Sequence, residues 1–297
     1  MKMTSHPIFK GAATALITPF KGSEVDYDSF GRLIDWQIEK GIDGLVIAGT
    51  TGEGSTLTDD EHREVLAFAA EHAAGRVPMI AGTGSNDTAY AIDLTKAACS
   101  YGYDAMLIVT PYYNKATQNG LIKMFETIAD ASDKPLILYN VPSRTGVNIE
   151  PRTYLKLASH PNIRGIKEAG GNISKIVETA SFVGDKLDIY SGNDDQIVPI
   201  LSMGGSGVIS VLSNLIPHET SKICHDYFEG KVRESAAAQM KYLPLINALF
   251  CEVNPIPVKA AMAKMGFGEN SLRLPLTEIE QDHAAVLYSL MKEYKII

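Results

Sequence analysis

The sequence predicts a closed (β/α)8 barrel, of the TIM-barrel type, with an appended helical segment at its C-terminal side. Two observations predict it. Short apolar runs alternate eight times with longer amphipathic ones across residues 13–211. The stretch Gly41-Ile42-Asp43-Gly44-Leu45-Val46-Ile47 is echoed by Gly102-Tyr103-Asp104-Ala105-Met106-Leu107-Ile108, each a glycine helix stop, a polar turn and a strand. Alternating strand and helix patterns argue for a parallel sheet, and eight units close a barrel. The alternative, an open doubly wound sheet, ordinarily has fewer strands.

Taken in order, the strand patterns lie at 13–18, 44–48, 78–82, 105–110, 135–140, 163–167, 187–191 and 207–211. Helical patterns lie between them, near 28–40, 58–74, 87–100, 117–131, 150–159, 173–183 and 194–203. The second opens on Thr58-Asp59-Asp60-Glu61, a capping box. Gly204-Gly205-Ser206-Gly207 precedes the eighth strand and reads as a helix-to-strand turn. Further helices are expected near 218–229, 231–250, 255–265 and 278–294, too many for one barrel unit. The expected division is a barrel over 1–225 and a helical segment over 226–297 packed on it. No low-complexity linker separates the two.

Apolar residues at 45% and charged residues at 21% of 297 are those of an ordinary soluble globular protein. A formal charge of -8 opposes binding to nucleic acid or an anionic membrane, but leaves room for a small anionic substrate held by a local cation. Cys99, Cys224 and Cys251 are odd in number and far apart, which fits free thiols in a reducing compartment. The N-terminus lacks the apolar region of a secretory signal, and no apolar run reaches the ~20 residues of a membrane span. The expected location is the cytoplasm. His6, His62, His72, His160, His218, His225 and His283 show no metal-motif spacing, and neither a Walker loop nor a Rossmann fingerprint is present, so no metal or cofactor is expected.

In such a barrel, chemistry belongs at the C-terminal strand ends. Those ends carry Gly49-Thr50-Thr51-Gly52-Glu53, Tyr112-Tyr113-Asn114, Tyr139 through Gly146, Lys167, Ser191-Gly192-Asn193-Asp194 and Val208-Ile209-Ser210. Alternation along 163–168 puts Lys167 on one face with Ile163 and Gly165, and Glu168 on the other. If that face is the interior, burial favours the neutral amine, a nucleophile suited to a Schiff base with a ketone. The other reading is a lysine that snorkels to water. Tyr139 is either a core tyrosine or a phenol that shuttles protons. Thr50 and Thr51 form a plain turn or donate to a carboxylate. Arg144 makes a surface ion pair or grips a carboxylate bidentately. Tyr112-Tyr113 has the character of a subunit contact.

Together, Gly-Thr-Thr-Gly-Glu (49–53), Tyr-Tyr-Asn (112–114), Tyr-Asn-Val-Pro-Ser-Arg-Thr-Gly (139–146), Gly-Ile-Lys-Glu-Ala (165–169) and Gly-Val-Ile-Ser-Val (207–211) resemble the dihydrodipicolinate synthase family. The motifs stand in family order over nearly the whole chain. The arginine of the Pro-Ser-Arg-Thr-Gly loop separates it from the related N-acetylneuraminate lyases. The resemblance implies a lyase of lysine and diaminopimelate biosynthesis that condenses pyruvate with L-aspartate-4-semialdehyde. In it Lys167 forms the imine. Tyr139 passes protons in a relay with a threonine of the Thr50–Thr51 pair and with Tyr113 of a partner subunit. Thr51 and the backbone at Ile209 hold pyruvate, Arg144 holds the aldehyde's carboxylate, and Gly192 borders the site. A homotetramer built from dimers is implied too.

Two departures from the family pattern stand out. Lysine-inhibited members carry a glutamate four residues after Asn86; here that residue is Tyr90, and Gly54, Ser55 and Asp59 differ as well, while His62 and Tyr112 match. The implied consequence is weak or absent inhibition by lysine. Asn193 stands where many members have aspartate.

Overall fold

The structure is a computed structural model and describes residues 7–297; residues 1–6, which include His6 and most of the stretch read for a leader, lie outside the described residues. Eight parallel strands close the barrel in the order β1 (Gly11–Ala15), β10 (Gly207–Ser210), β9 (Asp188–Ser191), β8 (Ile163–Glu168), β7 (Leu136–Asn140), β6 (Ala105–Val109), β5 (Met79–Gly82) and β4 (Gly44–Ile47). The two remaining strands, β2 (Phe20–Lys21) and β3 (Glu24–Val25), form a small antiparallel hairpin.

Alternation sorts each barrel strand into two faces. Ala13, Val46, Ile80, Leu107, Ile137, Tyr139, Tyr190 and Ile209 share one buried cluster within the barrel. Phe9 stacks on Tyr190 with ring centroids 4.2 Å apart. The other faces pack under the helices in a larger cluster, with Leu45, Met106, Leu138 and Ile166 among its fully buried members. Because both faces are covered, the strands read as continuous apolar runs.

The helices between strands start where the sequence has capping residues. Asp26, Thr58, Asp87, Thr117 and Asn172 each accept a backbone N–H with the side chain, opening α1 (Tyr27–Glu39), α2 (Asp59–Ala73), α3 (Thr88–Ser100), α4 (Gln118–Asp130) and α7 (Ile173–Val183). The reciprocal capping box at Thr58 and Glu61 is present. α5 (Pro142–Thr145) and α6 (Pro151–Leu157) start on prolines.

The structure differs from the sequence expectation at several points. The first strand ends at Ala15; the apolar run continues to Thr18 because it packs over the barrel mouth, where Leu16 N donates to Val46 O at 3.0 Å and the Thr18 hydroxyl to Gly52 O at 2.7 Å. The hairpin was not foreseen, since two-residue strands leave no period. The helix expected at 194–203 is a 3-10 turn, Asp194–Gln196, followed by α8 (Ile197–Leu201). The expected division between 225 and 226 lies within α9 (Pro217–Phe228), a helix packed against β1 and followed by a turn at Gly230 before α10 (Val232–Leu249).

The C-terminal stretch that carries α10, α11 (Ile256–Lys264) and α12 (Gln281–Glu293) is tied to the barrel by polar contacts. Arg273 grips Glu61 bidentately, at 2.7 and 2.6 Å, and donates to the carbonyls of Thr56 and Ser23. The Arg273 hydrogen bonds hold the Glu61 carboxyl down at about 2, from an ordinary 4.5. The unfolded chain takes up this proton first as pH falls. The stabilisation is therefore whole above about pH 4.5 and is lost as pH falls through about 2. Glu61→Gln keeps a capping side chain but loses the charge. We expect it to cost on the order of 1 kcal/mol at neutral pH and to flatten the stability profile across that window, read by denaturant unfolding at a series of pH values. An unchanged acid limb in the variant would assign acid sensitivity to other carboxylates.

Candidate active site

Strand register builds the centre of the site. Tyr139 on β7 pairs with Lys167 on β8, which pairs in turn with Tyr190 on β9. In a parallel sheet, paired residues point the same way, so all three side chains enter the barrel. Lys167 is 6% exposed and Tyr139 7%, and the lysine Nζ lies 4.2 Å from the centroid of the Tyr139 ring. The lysine is thus inside the barrel and does not snorkel to water.

Carboxylates support this strand pair from outside and above. Glu168 points out of the barrel, as alternation requires, yet is buried; it accepts hydrogen bonds from Gly170 N at 2.7 Å, from Asn140 at 3.0 and 3.2 Å, and from the Tyr154 hydroxyl at 3.3 Å. Burial pushes its carboxyl up. Asn140 Oδ1 accepts from Ile149 N, which secures the loop after β7. Asp194, fully enclosed, accepts from the backbone N–H groups of Val211 at 3.0 Å and Leu212 at 2.9 Å, fixing the chain just beyond Ile209. Burial raises its carboxyl too, against the opposing pull of hydrogen bonds from Ser210 and from the Leu212 and Val211 N–H groups.

The Gly49–Gly54 turn wraps around the end of β4. Ala48 adopts φ 54°, and a Cβ at Gly54 or Gly82 would lie 2.3 or 2.6 Å from the Ala48 carbonyl oxygen. Glycine is required there for the backbones to meet. Thr50 lines the resulting cavity and Thr51 is buried beside it in sequence. Two residues further on, Glu53 makes an ion pair with Lys259 of α11 at 2.6 Å, both side chains 1% exposed. Burial pushes Lys259 down to about 8 despite the attraction of Glu53.

Arg144 belongs to α5, a single helical turn between Pro142 and Gly146; the loop read from the sequence is this turn. Proline at its start and glycine (φ 67°) at its end are the local signal for it. The guanidinium donates to the backbone carbonyl of Asn254 at 3.2 Å, and the Asn254 side-chain amide donates to the Thr51 hydroxyl at 3.0 Å. Neither Asn254 nor Lys259 was singled out in the sequence, because both lie more than 85 residues from the Lys167 strand (254 − 168 = 86) and no local pattern marks them.

Thr50, Tyr139 and Arg144 line one cavity of about 550 Å³. Ser55, Asp59, His62, Tyr90 and Tyr112 line the same cavity. Gly192 N donates to Glu168 O at 2.7 Å, and a Cβ there would meet Ala169 at 2.7 Å, so this turn is closely packed against the residue after Lys167. Ile209 shares the buried interior cluster with Tyr139. Tyr113 is not brought into the group: it is 94% exposed, at φ 70°, on the outer surface of this chain.

Among the described residues, one group of side chains has metal-ligand spacing, Cys251, Glu252 and His283, and none of the three lines the cavity. His283 Nδ1 and Glu252 are already 2.7 Å apart as a hydrogen-bonded pair.

The model of the dihydrodipicolinate synthetase family matches residues 8–294. The chain belongs to this family. Among the family's curated members, the 4-hydroxy-tetrahydrodipicolinate synthase of Caldicellulosiruptor saccharolyticus is 54% identical over 291 residues, covering 98% of each chain. That of Lachnoclostridium phytofermentans is 54% identical over 292 residues, covering 98% of this chain and 99% of the other. The dihydrodipicolinate synthase structure from Thermotoga maritima superposes with a TM-score of 0.96 at 41% identity, covering 98% of this chain and 100% of that one. The family member from Acinetobacter baumannii, solved with pyruvate, gives 0.95 at 42% identity, over 97% and 99% of the chains. The barrel with its C-terminal helices is the fold of these family structures. No helix among the described residues is long and apolar enough to cross a membrane.

The Glu53–Lys259 pair joins the Gly49–Gly54 turn to the C-terminal segment, so removing one partner strands a buried charge. Glu53→Gln is expected to cost about 3–5 kcal/mol in unfolding free energy, measured by urea titration. A loss under about 1 kcal/mol would mean that water reaches Lys259 and that the pair does not anchor the turn.

Proposed function

We propose that the chain is a 4-hydroxy-tetrahydrodipicolinate synthase, a lyase of lysine and diaminopimelate biosynthesis that condenses pyruvate with L-aspartate-4-semialdehyde through an imine on Lys167. The observation that carries this reading is the buried Lys167 amine set over the Tyr139 ring, with Thr50, Tyr139 and Arg144 facing one cavity.

The roles follow from the chemistry. The Lys167 amine adds to the keto carbon of pyruvate, and the carbinolamine loses water to give a protonated imine. That imine withdraws electrons, so a methyl proton leaves and an enamine forms. The enamine carbon attacks the aldehyde carbon, whose oxygen takes up a proton. The amino group of the second substrate then adds to the imine carbon, and Lys167 departs as the ring closes. Each step moves a proton between groups that must both give and take one, which a phenol and a threonine hydroxyl can do. We assign this to Tyr139 with a threonine of the Thr50–Thr51 pair. Thr51 and the backbone at Ile209 bind the pyruvate carboxylate. Arg144 presents a planar cation at the cavity wall for the carboxylate of the semialdehyde. Gly192, closely packed behind Lys167, leaves no side chain to block the ketone. The lysine itself is the electron sink, so the reading requires no metal or separate cofactor.

Tyr113, fully exposed on a strained backbone, is assigned to the site of a partner subunit, which makes the active unit at least a dimer; a homotetramer of two such dimers in the cytoplasm is the assembly we propose.

The test is reductive trapping. Borohydride with pyruvate should add one reduced pyruvyl group to Lys167, located by peptide mass spectrometry, and Lys167→Ala should abolish both the adduct and turnover with the semialdehyde. An adduct on another lysine would falsify the assignment. Turnover of a sialic acid or a 2-keto-3-deoxy sugar acid, with none of the semialdehyde, would instead favour an aldolase for longer keto acids.

Feedback by lysine is expected to be weak. The sequence reading found no carboxylate for lysine's amino groups; the structure refines this, since Asp59 lines the cavity but is engaged by Arg63 at 3.1 Å. Tyr90, pushed up to about 12 by burial and by Asp59, stays neutral, and buried His62 lies 3.0 Å from Gly82 O. No free anion remains there among the cavity-lining residues. Steady-state rates should stay within about twofold of the uninhibited value at 1 mM lysine, about −4.1 kcal/mol of binding at half-occupancy. Half-inhibition below that concentration would overturn the argument.

A further inference from the structure

The Thr51 hydroxyl is buried, and its hydrogen bond among the described residues is the one it accepts from Asn254 Nδ2 at 3.0 Å. A hydroxyl has one hydrogen to give. Here that hydrogen is uncommitted, because the Asn254 amide occupies a lone pair. A buried donor with no acceptor is costly unless something else supplies one. Asn254 is 5% exposed, and its backbone carbonyl accepts from Arg144 at 3.2 Å. Its Oδ1 is buried without a partner. Were the amide reversed, Oδ1 would take the Thr51 hydrogen and the hydroxyl would have none to offer.

We propose that Asn254 is a positioning residue for the keto-acid site: its side-chain amide turns the Thr51 hydroxyl into a donor aimed at the substrate carboxylate, while its backbone carbonyl steadies Arg144. The proposal rests on the reading above, in which Thr51 holds pyruvate. It gives the appended helical segment a part in substrate binding, since Asn254 lies between α10 and α11 and reaches back across the barrel mouth. Side chain and backbone act on different substrates, which makes the two effects separable. Removing the amide should weaken pyruvate and spare the semialdehyde, because the carbonyl that meets Arg144 remains.

The experiment is a double-mutant cycle on the full-length enzyme, read as KM for each substrate and kcat. Asn254→Ala should raise KM for pyruvate about tenfold, the worth of one well-made hydrogen bond, and leave KM for the semialdehyde within about twofold. Asn254→Asp keeps the volume but offers only acceptors at neutral pH, so it should capture the Thr51 hydrogen and weaken pyruvate at least as much. In a Thr51→Val background, Asn254→Ala should change KM for pyruvate by less than about twofold, since the group it acts through is gone. A full tenfold effect in that background, or a wild-type pyruvate KM in Asn254→Asp, would overturn the proposal. So would a lowered melting temperature in Asn254→Ala with KM for pyruvate unchanged, which marks a purely structural residue. Failure of the wild-type enzyme to form the Lys167 adduct would strike the underlying reading instead, whatever the cycle gave.

Discussion

The pairing of Tyr139 with Lys167 across β7 and β8 is the constraint on which the site depends. A parallel ladder makes paired residues share a face, and closure of the sheet makes that face the interior. One residue of slip in this register would exchange Lys167 with Glu168 and put a carboxylate where the amine now stands. The outward network of Glu168 with Asn140, Tyr154 and Gly170 opposes such a slip: it rewards Glu168 only when it points away from the barrel. The same residue pair therefore encodes the inner chemistry and the outer lock.

Around that pair, the site is assembled from pieces that cannot hold their shape alone. The Gly49–Gly54 turn is half glycine, with Gly52 and Gly54 in close backbone contact with Ala48. Its order comes from the far end of the chain. Lys259 binds Glu53, Arg273 N donates to the other Glu53 oxygen, and Asn254 meets Thr51. The appended helices are thus a clamp on the barrel mouth. Burying the Glu53–Lys259 pair is not by itself a stabilising choice over an apolar pair of similar volume; what it secures is a unique position for the turn.

What the sequence revealed follows from the range of each interaction. The eight barrel strands and most helices were legible because period and capping residues are local. Alternation grouped Lys167 with Ile163 and Gly165 and Tyr139 with Ile137, but it left open whether those faces were the interior; closure of the barrel decides that. The strand expected at 13–18 starts two residues earlier and ends three residues earlier, since an apolar run reports burial and Leu16 to Thr18 are buried without being in the sheet. Thr50, Thr51 and Arg144 were legible as candidates, yet residue types alone left each with an equally good structural role. Asn254, Lys259 and Arg273 were not legible. Their partners lie some 110 to 220 residues away, as in the Asn254–Arg144 and Arg273–Glu53 contacts, and only the closed barrel brings those segments together.

The cavity wall shows how a change in a few residues redirects a shared surface. Thr50, Tyr139 and Arg144 face the same space as Asp59, His62 and Tyr90. A ligand with two amino groups and a carboxylate needs anions there that are free to pair. Asp59 is committed to Arg63, which also reaches Asp93, so freeing Asp59 for a ligand means breaking a three-member charge network. The exposed members of that network are individually weak, but a ligand must displace them before gaining anything. Tyr90 adds bulk and a hydroxyl that burial keeps protonated. The wall is thereby satisfied within itself, and on the proposed reading the free polar capacity of the site, the Thr51 hydrogen and the Arg144 face, is left to the substrates.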